Sequence, residues 1–168
     1  MIRLVGASML VAGCGGFGFC IATANRRERK MLRSLISALQ EMEWELKYRM
    51  TELPELCRVA GHAAGGTLKG IFLELADKLD RRELQDVSGG LNGLIRNREL
   101  PASVRKNMKQ LAASLGKYDL ESQLQGLQTI RLQCRKDLQK LEQFASDRMR
   151  CYQTLALCAG AALAILMI

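Results

Sequence analysis

Residues 32–50, LRSLISALQEMEWELKYRM, carry the pattern that decides the fold. Their apolar side chains recur at steps of three and four, the spacing that places them along one face of an α-helix: Leu32, Leu35, Ile36, Leu39, Met42, Leu46 and Met50. Elsewhere, no stretch alternates apolar and polar residues for long enough to form a strand, and Pro occurs only at Pro54 and Pro101. The sequence therefore predicts an all-α protein whose first helix ends at about Met50.

Capping residues divide the rest of the central region into shorter helices. Ser, Thr, Asp and Asn favour the position before a helix because their side chains accept hydrogen bonds from its free N–H groups. Three such residues precede apolar helical patterns, and we predict that they are helix caps: Thr51, Thr67 and Asp119. The helix after Thr51 carries Pro54 in its first turn, where Pro is tolerated, and ends near Gly61. Pro101 opens a further helix, with Gly116 just beyond its end.

For residues 86–98 the sequence does not decide between helix and loop. They contain Gly89, Gly90 and Gly93, and each glycine costs about 1 kcal/mol relative to Ala inside a helix.

The last helix begins at Leu120 and has an apolar repeat close to 3.5 residues, which suits packing along a partner helix. No helix breaker separates it from the C-terminus. We expect it to lie antiparallel to the first helix. The fold prediction is thus an antiparallel bundle of about six helices.

Two uncharged apolar stretches lie at the ends of the chain. Residues 4–25 and 151–168 contain no Asp, Glu, Lys or Arg. A helix needs about 20 apolar residues, with about 17 as the lower limit, to cross the hydrocarbon core of a bilayer. The sequence therefore predicts a transmembrane helix over residues 1–25, a helical domain over 26–150 and a second transmembrane helix over 151–168.

Basic residues beside these stretches predict the orientation. Lys and Arg near membrane helices are retained on the cytoplasmic side. They cluster on the two inner flanks: Arg26, Arg27, Arg29, Lys30, Arg33, Arg148 and Arg150. On the outer flanks there is only Arg3. We expect a two-pass protein of the cell membrane whose central domain is cytoplasmic.

The N-terminal stretch allows a second interpretation. VAGC at residues 11–14 resembles a lipobox, whose Cys is lipidated after cleavage, and ATA at residues 22–24 resembles a signal-peptidase site. Cleavage would make the chain an extracytoplasmic, lipoprotein-like helical binding module, anchored through Cys14 in the first case. The apolar run beyond Cys14, and the basic cluster that would then be exported, favour the membrane helix.

Small residues recur every four positions in both apolar ends, for example Ala156, Gly160 and Ala164. Such rows permit close approach of helices. Pairing within one chain and homo-oligomerisation both stay open. A pore formed by these ends alone is disfavoured, because they contain no charged or strongly polar residue to line water.

The charges of the central region do not indicate nucleic-acid binding. Of the 25 Lys and Arg residues, all but Arg3 lie between residues 26 and 150, as do all 17 Asp and Glu residues, in mixed order. A nucleic-acid surface combines a basic face with aromatic residues, and the one Trp, three Tyr and four Phe are dispersed. We expect the basic excess to face anionic membrane lipid.

The residues supply no set with catalytic or ligand-binding chemistry. His62 is the only His, in a glycine-rich segment that has the spacing of a phosphate-binding loop without its Lys or a preceding strand. Two of the six cysteines, Cys57 and Cys134, lie outside the apolar ends, and no pair has zinc-ligand or C-x-x-C spacing. We predict no enzyme activity, cofactor, metal site or small-molecule substrate.

Acidic and aromatic residues near the end of the first helix are candidates for binding a partner. Glu43 and Glu45 form either a docking patch or ordinary solvent-facing charges. Trp44 and Tyr48 lie four residues apart on a face away from the apolar stripe. They are either covered by another helix or, if exposed, an anchor for a protein partner.

The chain resembles the stage III sporulation protein AB family of endospore-forming bacteria. The resemblance rests on the two apolar ends with their basic flank and on three segments in order: LISALQEMEWELKY (35–48), TELPEL (51–56), and LGKYD (115–119) followed by Gln123. The sequence departs from the family pattern in residues 81–99, which are rich in glycine, and in a first apolar segment rich in Gly and Cys.

This resemblance implies a fold like the cytoplasmic helical domain of the inner-membrane platform proteins of type II secretion systems. It also implies a place in the complex that links mother cell and forespore, in the outer forespore membrane. There the domain would recruit a secretion-type ATPase, beside other membrane proteins of the complex. The partner surface expected from the matching residues comprises Glu43, Trp44, Glu45, Tyr48, Pro54, Glu55 and Gln123.

Overall fold

The computed structural model describes the backbone of residues 2–84, 86–115 and 119–167, and the side chains of residues 25–84, 86–115 and 119–143. Within these ranges the chain forms six α-helices and no strand. The helices are α1 (Ile2–Arg49), α2 (Leu53–Ala63), α3 (Gly66–Asp80), α4 (Val87–Arg96), α5 (Ala102–Ser114) and α6 (Leu120–Met167). The prediction of an all-α fold with six helices is confirmed.

The chain divides into two compact units. One is Arg26–Leu138, and the other combines Met1–Asn25 with Gln139–Ile168. The predicted membrane helices, 1–25 and 151–168, fall in the second unit. Apart from Asn25, their side chains lie outside those that the structure describes. Among the described residues, no helix has a stretch that is both long and apolar enough to span a bilayer.

The apolar stripe of α1 forms part of the core of the unit Arg26–Leu138. Most of its members are buried: Leu32, Leu35, Leu39, Met42 and Leu46. Ile36 is half-buried, and Met50 is exposed. Since α1 ends at Arg49 and Met50 adopts a left-handed backbone with a φ of 50°, the Met50 side chain leaves the stripe and is exposed.

The start of α2 differs from the prediction that Thr51 caps it. Glu52 occupies the N-cap position, and its side chain makes no capping hydrogen bond. The Thr51 hydroxyl instead donates a hydrogen bond to Oε2 of Glu45, at 2.7 Å. The Thr51 hydroxyl, which could have capped α2, is thus bonded to α1 instead.

The start of α3 also corrects a prediction, because Thr67 is not its cap. Gly65 is the N-cap residue, and Thr67 lies inside the first turn. Gly66 has a φ of 58°, a left-handed conformation that glycine adopts without steric cost. This bend allows the helix to begin before Thr67. The backbone N–H of Gly65 then donates to the hydroxyl of Ser34 on α1, at 2.6 Å.

The helices α2 and α3 pack closely against each other. A Cβ atom on Gly61 would lie 3.1 Å from the side chain of Leu73, so the missing side chain permits the approach. Arg58 forms ion pairs with Glu55 of α2, at 2.8 Å, and with Asp80 of α3. These pairs are exposed and contribute about 1 kcal/mol each at most. The buried apolar side chains therefore supply most of the stability of the hairpin.

The segment left open by the sequence, residues 86–98, contains the helix α4. The Asp86 carboxylate caps it by accepting hydrogen bonds from the backbone N–H groups of Ser88, at 3.1 Å, and Gly89, at 2.9 Å. Its buried residues are Leu91, Leu94 and Ile95. Burying each of these contributes about 1.5–3 kcal/mol, which outweighs about 1 kcal/mol lost at each glycine. Tertiary packing therefore decides the structure of this segment.

Cross-helix contacts fix the relative direction of α5 and α6 and join α5 to α1. On α5, Asn107 donates a hydrogen bond to Asp137 of α6, at 3.0 Å, and Ser114 lies against Gly126. The residue number therefore rises along α5 as it falls along α6, so the two helices are antiparallel. The first turn of α5 contacts α1, because the Ser103 hydroxyl donates to the carboxylate of Glu28.

The start of α6 follows the prediction for its cap. Asp119 precedes Leu120, and its carboxylate accepts hydrogen bonds from the backbone N–H of Ser122, at 3.0 Å, and from the Ser122 hydroxyl, at 2.7 Å. These bonds lower the pKa of Asp119. From there α6 continues to Met167 without interruption. Gly116, expected to end α5, lies outside the described residues.

Candidate docking surface

An open groove lies between the C-terminal part of α1 and the N-terminal part of α6. Its volume is about 610 Å³. The residues that line it are Gln40, Glu41, Glu43, Trp44, Lys47, Tyr48, Leu124 and Gln128. We call these residues the α1–α6 groove. Three of the residues proposed from the sequence, Glu43, Trp44 and Tyr48, are among them.

Two aromatic side chains form the apolar part of this groove on α1. Trp44 and Tyr48 are one helical turn apart, and their ring centroids are separated by 5.6 Å with the planes tilted by 46°. Their exposed fractions are 46% and 65%. The sequence left open whether another helix covers this pair. In the structure both rings are exposed.

Cations lie next to both aromatic rings. The Arg49 guanidinium carbon is 5.2 Å from the centroid of the Trp44 ring, and the Lys47 ammonium is 5.3 Å from that of Tyr48. Cation–π contacts of this length contribute about 0.5–1 kcal/mol at exposed sites. They favour the orientation in which the rings remain at the surface.

Glu43 joins α1 to α6 at the inner edge of the groove. Its Oε1 atom lies 2.9 Å from Nε of Arg131, and the two side chains are 13% and 23% exposed. The N–H of Arg131 does not point at the oxygen, so the contact is an ion pair without a well-aligned hydrogen bond. Loss of hydration raises the pKa of Glu43, and the charges of Arg131 and Arg135 oppose that rise. Glu43 is therefore engaged with α6 and is not a free carboxylate in the groove.

Glu45 lies inside the fold, with an exposed fraction of only 6%. It accepts the hydrogen bond from Thr51 and forms an ion pair with Arg49 at 3.3 Å. These contacts tie the end of α1 to the turn that leads into α2. The structure therefore corrects the expectation that Glu45 faces a partner.

The remaining residues of the predicted surface do not line the groove. Pro54 is half-buried in the first turn of α2, and Glu55 is exposed but paired with Arg58. Gln123 is half-buried and precedes Leu124, which does line the groove. The aromatic pair thus remains the centre of the candidate surface. Pro54 and Glu55 of α2 do not belong to it.

Sequence reasoning missed the α6 side of the groove, Leu124 and Gln128. On α1, the spacing of Gln40, Trp44 and Tyr48 marks a single helical face, and this signal could have added Gln40. No comparable signal exists for α6, because its contribution depends on the register between two helices that are far apart in the sequence.

The described cysteines and acidic groups offer no reactive centre. Cys57 and Cys134 are buried, and burial raises the pKa of each thiol to about 12. His62 is exposed near the end of α2. Within the part of the chain that the structure describes, no three His, Cys, Asp or Glu side chains are placed to hold a metal ion.

Comparison with known proteins identifies the family. The family model described as stage III sporulation protein AB matches residues 3–168, nearly the whole chain. The chain belongs to the stage III sporulation protein AB family. A solved structure of a stage III sporulation protein AB is similar in fold, with a TM-score of 0.63 and 20% sequence identity over 72% of this chain and 98% of that one. No curated protein matches the sequence.

Membership in the stage III sporulation protein AB family identifies the chain as a sporulation protein. It confirms the resemblance that the sequence showed. At 20% identity, the solved structure supports the helical fold and nothing finer. The role of the α1–α6 groove therefore rests on its own geometry.

Proposed function

We propose that this chain is a membrane-anchored docking component of the mother cell–forespore secretion-like complex, and that its helical domain recruits a secretion-type ATPase. The observation that carries the docking role is the exposed Trp44–Tyr48 pair beside an open groove. The chain itself would catalyse no reaction, and the ATP chemistry would belong to the partner.

The apolar ends of the chain support the membrane anchor. Residues 4–25 and 151–168 are uncharged, and Lys and Arg flank them on the side of the central region. The helices α1 and α6 run without interruption through these ends. The proposed site of action is the outer forespore membrane, with the unit Arg26–Leu138 in the mother-cell cytoplasm.

The physical basis of docking is the burial of the two rings. Trp and Tyr side chains are enriched among the interface residues that carry most of the binding energy. Covering the aromatic pair would remove large apolar surfaces from water, and the groove beside it offers space for side chains of the partner. Gln40, Lys47 and Gln128 supply polar groups around the rings, which suits a polar rim around an apolar centre.

The test is recovery of the ATPase with the full chain. The double variant Trp44→Ala/Tyr48→Ala should weaken binding by at least about thirtyfold, because truncating such anchors costs about 2 kcal/mol or more. The matched control is Leu132→Ala, which removes an apolar side chain that is 55% exposed on α6 and does not line the groove. The control should bind as the parent chain does. Equal recovery of the ATPase with all three proteins would exclude the groove as its docking site.

A further inference from the structure

A second surface, on α4 and α5, carries four exposed cations. Neither helix contains Asp or Glu. Their basic residues are exposed: Arg96, Arg105, Lys106 and Lys109. Within the described residues, none of the four forms an ion pair, whereas Arg58, Lys78, Arg98 and Arg131 do. We call these four residues the α4–α5 basic face.

Open grooves accompany this basic face. One, of about 650 Å³, is lined by Gly89, Asn92, Gly93, Ile95, Arg96, Arg105 and Lys109. A second, of about 540 Å³, has Arg105, Lys106 and Lys109 along its wall. A Cβ atom added to Gly93 would meet nothing within 4 Å. The cations therefore surround accessible space, and a ligand can approach the backbone of α4 at Gly93.

The contacts of α5 place this face near the start of the unit. Ser103, in the first turn of α5, bonds to Glu28 of α1. Glu28 comes three residues after Asn25, the end of the uncharged N-terminal stretch, which is about 4.5 Å of helix rise. Arg105 and Lys106 lie within one turn of Ser103. They therefore add to the juxtamembrane cluster of Arg26, Arg27 and Lys30.

We propose that the α4–α5 basic face binds the headgroups of anionic phospholipids. The proposal rests on the membrane anchoring in the proposed function, but not on ATPase docking. Basic residues near an anionic membrane surface are attracted within about one Debye length, roughly 8–10 Å. The face would make a segment far from either apolar end, residues 87–114, part of the membrane contact. The competing occupant is an acidic protein partner. Lipid is favoured because Ser103 of α5 contacts Glu28, which lies only three residues after the uncharged N-terminal stretch.

The test uses the full chain in lipid nanodiscs and hydrogen exchange of residues 87–114. Exchange should be slower by on the order of fivefold in discs containing phosphatidylglycerol than in discs of phosphatidylcholine alone, the effect of about one cation bound at the surface. The variant Arg96→Gln/Arg105→Gln/Lys109→Gln should lose this difference. The control Lys69→Gln/Arg81→Gln/Arg82→Gln removes the same charge from exposed positions outside the face and should retain it.

Each other outcome contradicts the proposal in a distinguishable way. Equal exchange in the two kinds of disc excludes lipid recognition. If inorganic phosphate gives the same protection with phosphatidylcholine discs, the face is a general anion site. If the control variant also loses the difference in exchange, the effect is one of net charge alone. Protection that requires the ATPase, whatever the lipid, assigns the face to a protein. A chain that does not enter discs at all contradicts the membrane anchor, and with it this proposal.

Discussion

The last turns of α1 have an inner and an outer face with opposite roles. On the inner face, Glu43 and Glu45 are largely buried and bond to Arg131, Arg49 and Thr51. On the outer face, Trp44 and Tyr48 are exposed. Because each residue turns the helix by about 100°, Glu43 and Glu45 lie on the two margins of the buried stripe, and Trp44 and Tyr48 lie between them on the opposite side. In this helix the acidic residues contact neighbouring parts of the fold, and the aromatic residues remain exposed.

Reversing the charge at Glu45 should give the largest loss of stability. Glu45→Lys would place an ammonium in a buried position and leave the Thr51 hydroxyl without its acceptor, so we expect a loss of about 3 kcal/mol in the free energy of unfolding. Denaturant unfolding followed by circular dichroism measures it. The control Glu41→Lys changes an exposed carboxylate one turn earlier and should shift stability by about 0.5 kcal/mol or less. Similar losses in both variants would contradict the assignment of Glu45 to the inner face.

Neutralising Glu43 should have a smaller effect that depends on pH. Its folded-state pKa is raised above the ordinary value of 4.5, so the folded protein holds this proton more tightly than the unfolded chain. The proton bound to Glu43 therefore contributes fully to the stability of the fold below pH 4.5. This contribution is lost as the pH rises through the folded-state pKa. Glu43→Gln should remove this slope and change stability at neutral pH by about 1 kcal/mol or less.

Unfolding curves from pH 4 upward measure the effect of Glu43→Gln, with Glu41→Gln as the exposed control. A slope that persists in Glu43→Gln would show that another group titrates. A slope that disappears in Glu41→Gln would show that the exposed carboxylate is responsible.

Truncation of the outer face should cost less stability than Glu45→Lys does. Trp44→Ala/Tyr48→Ala, the variant predicted to lose the ATPase, removes two exposed rings with their cation–π contacts and should lower the free energy of unfolding by about 0.5–1 kcal/mol per residue. This separates binding from folding. A loss as large as that of Glu45→Lys would mean that the rings stabilise the fold, and the distinction between the two faces would then fail.

Helical periodicity predicted much of the fold, because burial of a stripe is a property of the sequence itself. The stripe of α1 became core from Leu32 to Leu46. The predicted caps of α2 and α3 were wrong, the first because of a contact with α1 and the second because of a local left-handed turn. Thr51 bonds to Glu45, and Gly66 turns the chain before Thr67. The helix α4 could not be predicted from local preference, since its glycines oppose the helix that its buried residues stabilise.

The candidate site was only partly predictable for the same reason. The pair Trp44 and Tyr48 is visible as a four-residue spacing on one helix. Whether it is exposed depends on how α6 packs beside α1. The acidic residues looked equally available in the sequence, and only their contacts with Arg131 and Thr51 show that they serve the fold.

The most direct test of the central claim, a cytoplasmic domain anchored at its two apolar ends, is the side from which the domain can be labelled. Cys57 and Cys134 are unsuitable because they are buried. Asp77→Cys would introduce a thiol at an exposed position of α3, and the parent chain gives the background. In intact sporulating cells, a membrane-impermeant maleimide should label the variant no more than the parent. It should label the variant strongly after the membrane is opened, with the chain in the membrane fraction. Labelling in intact cells, or recovery of the chain without detergent, would contradict the account.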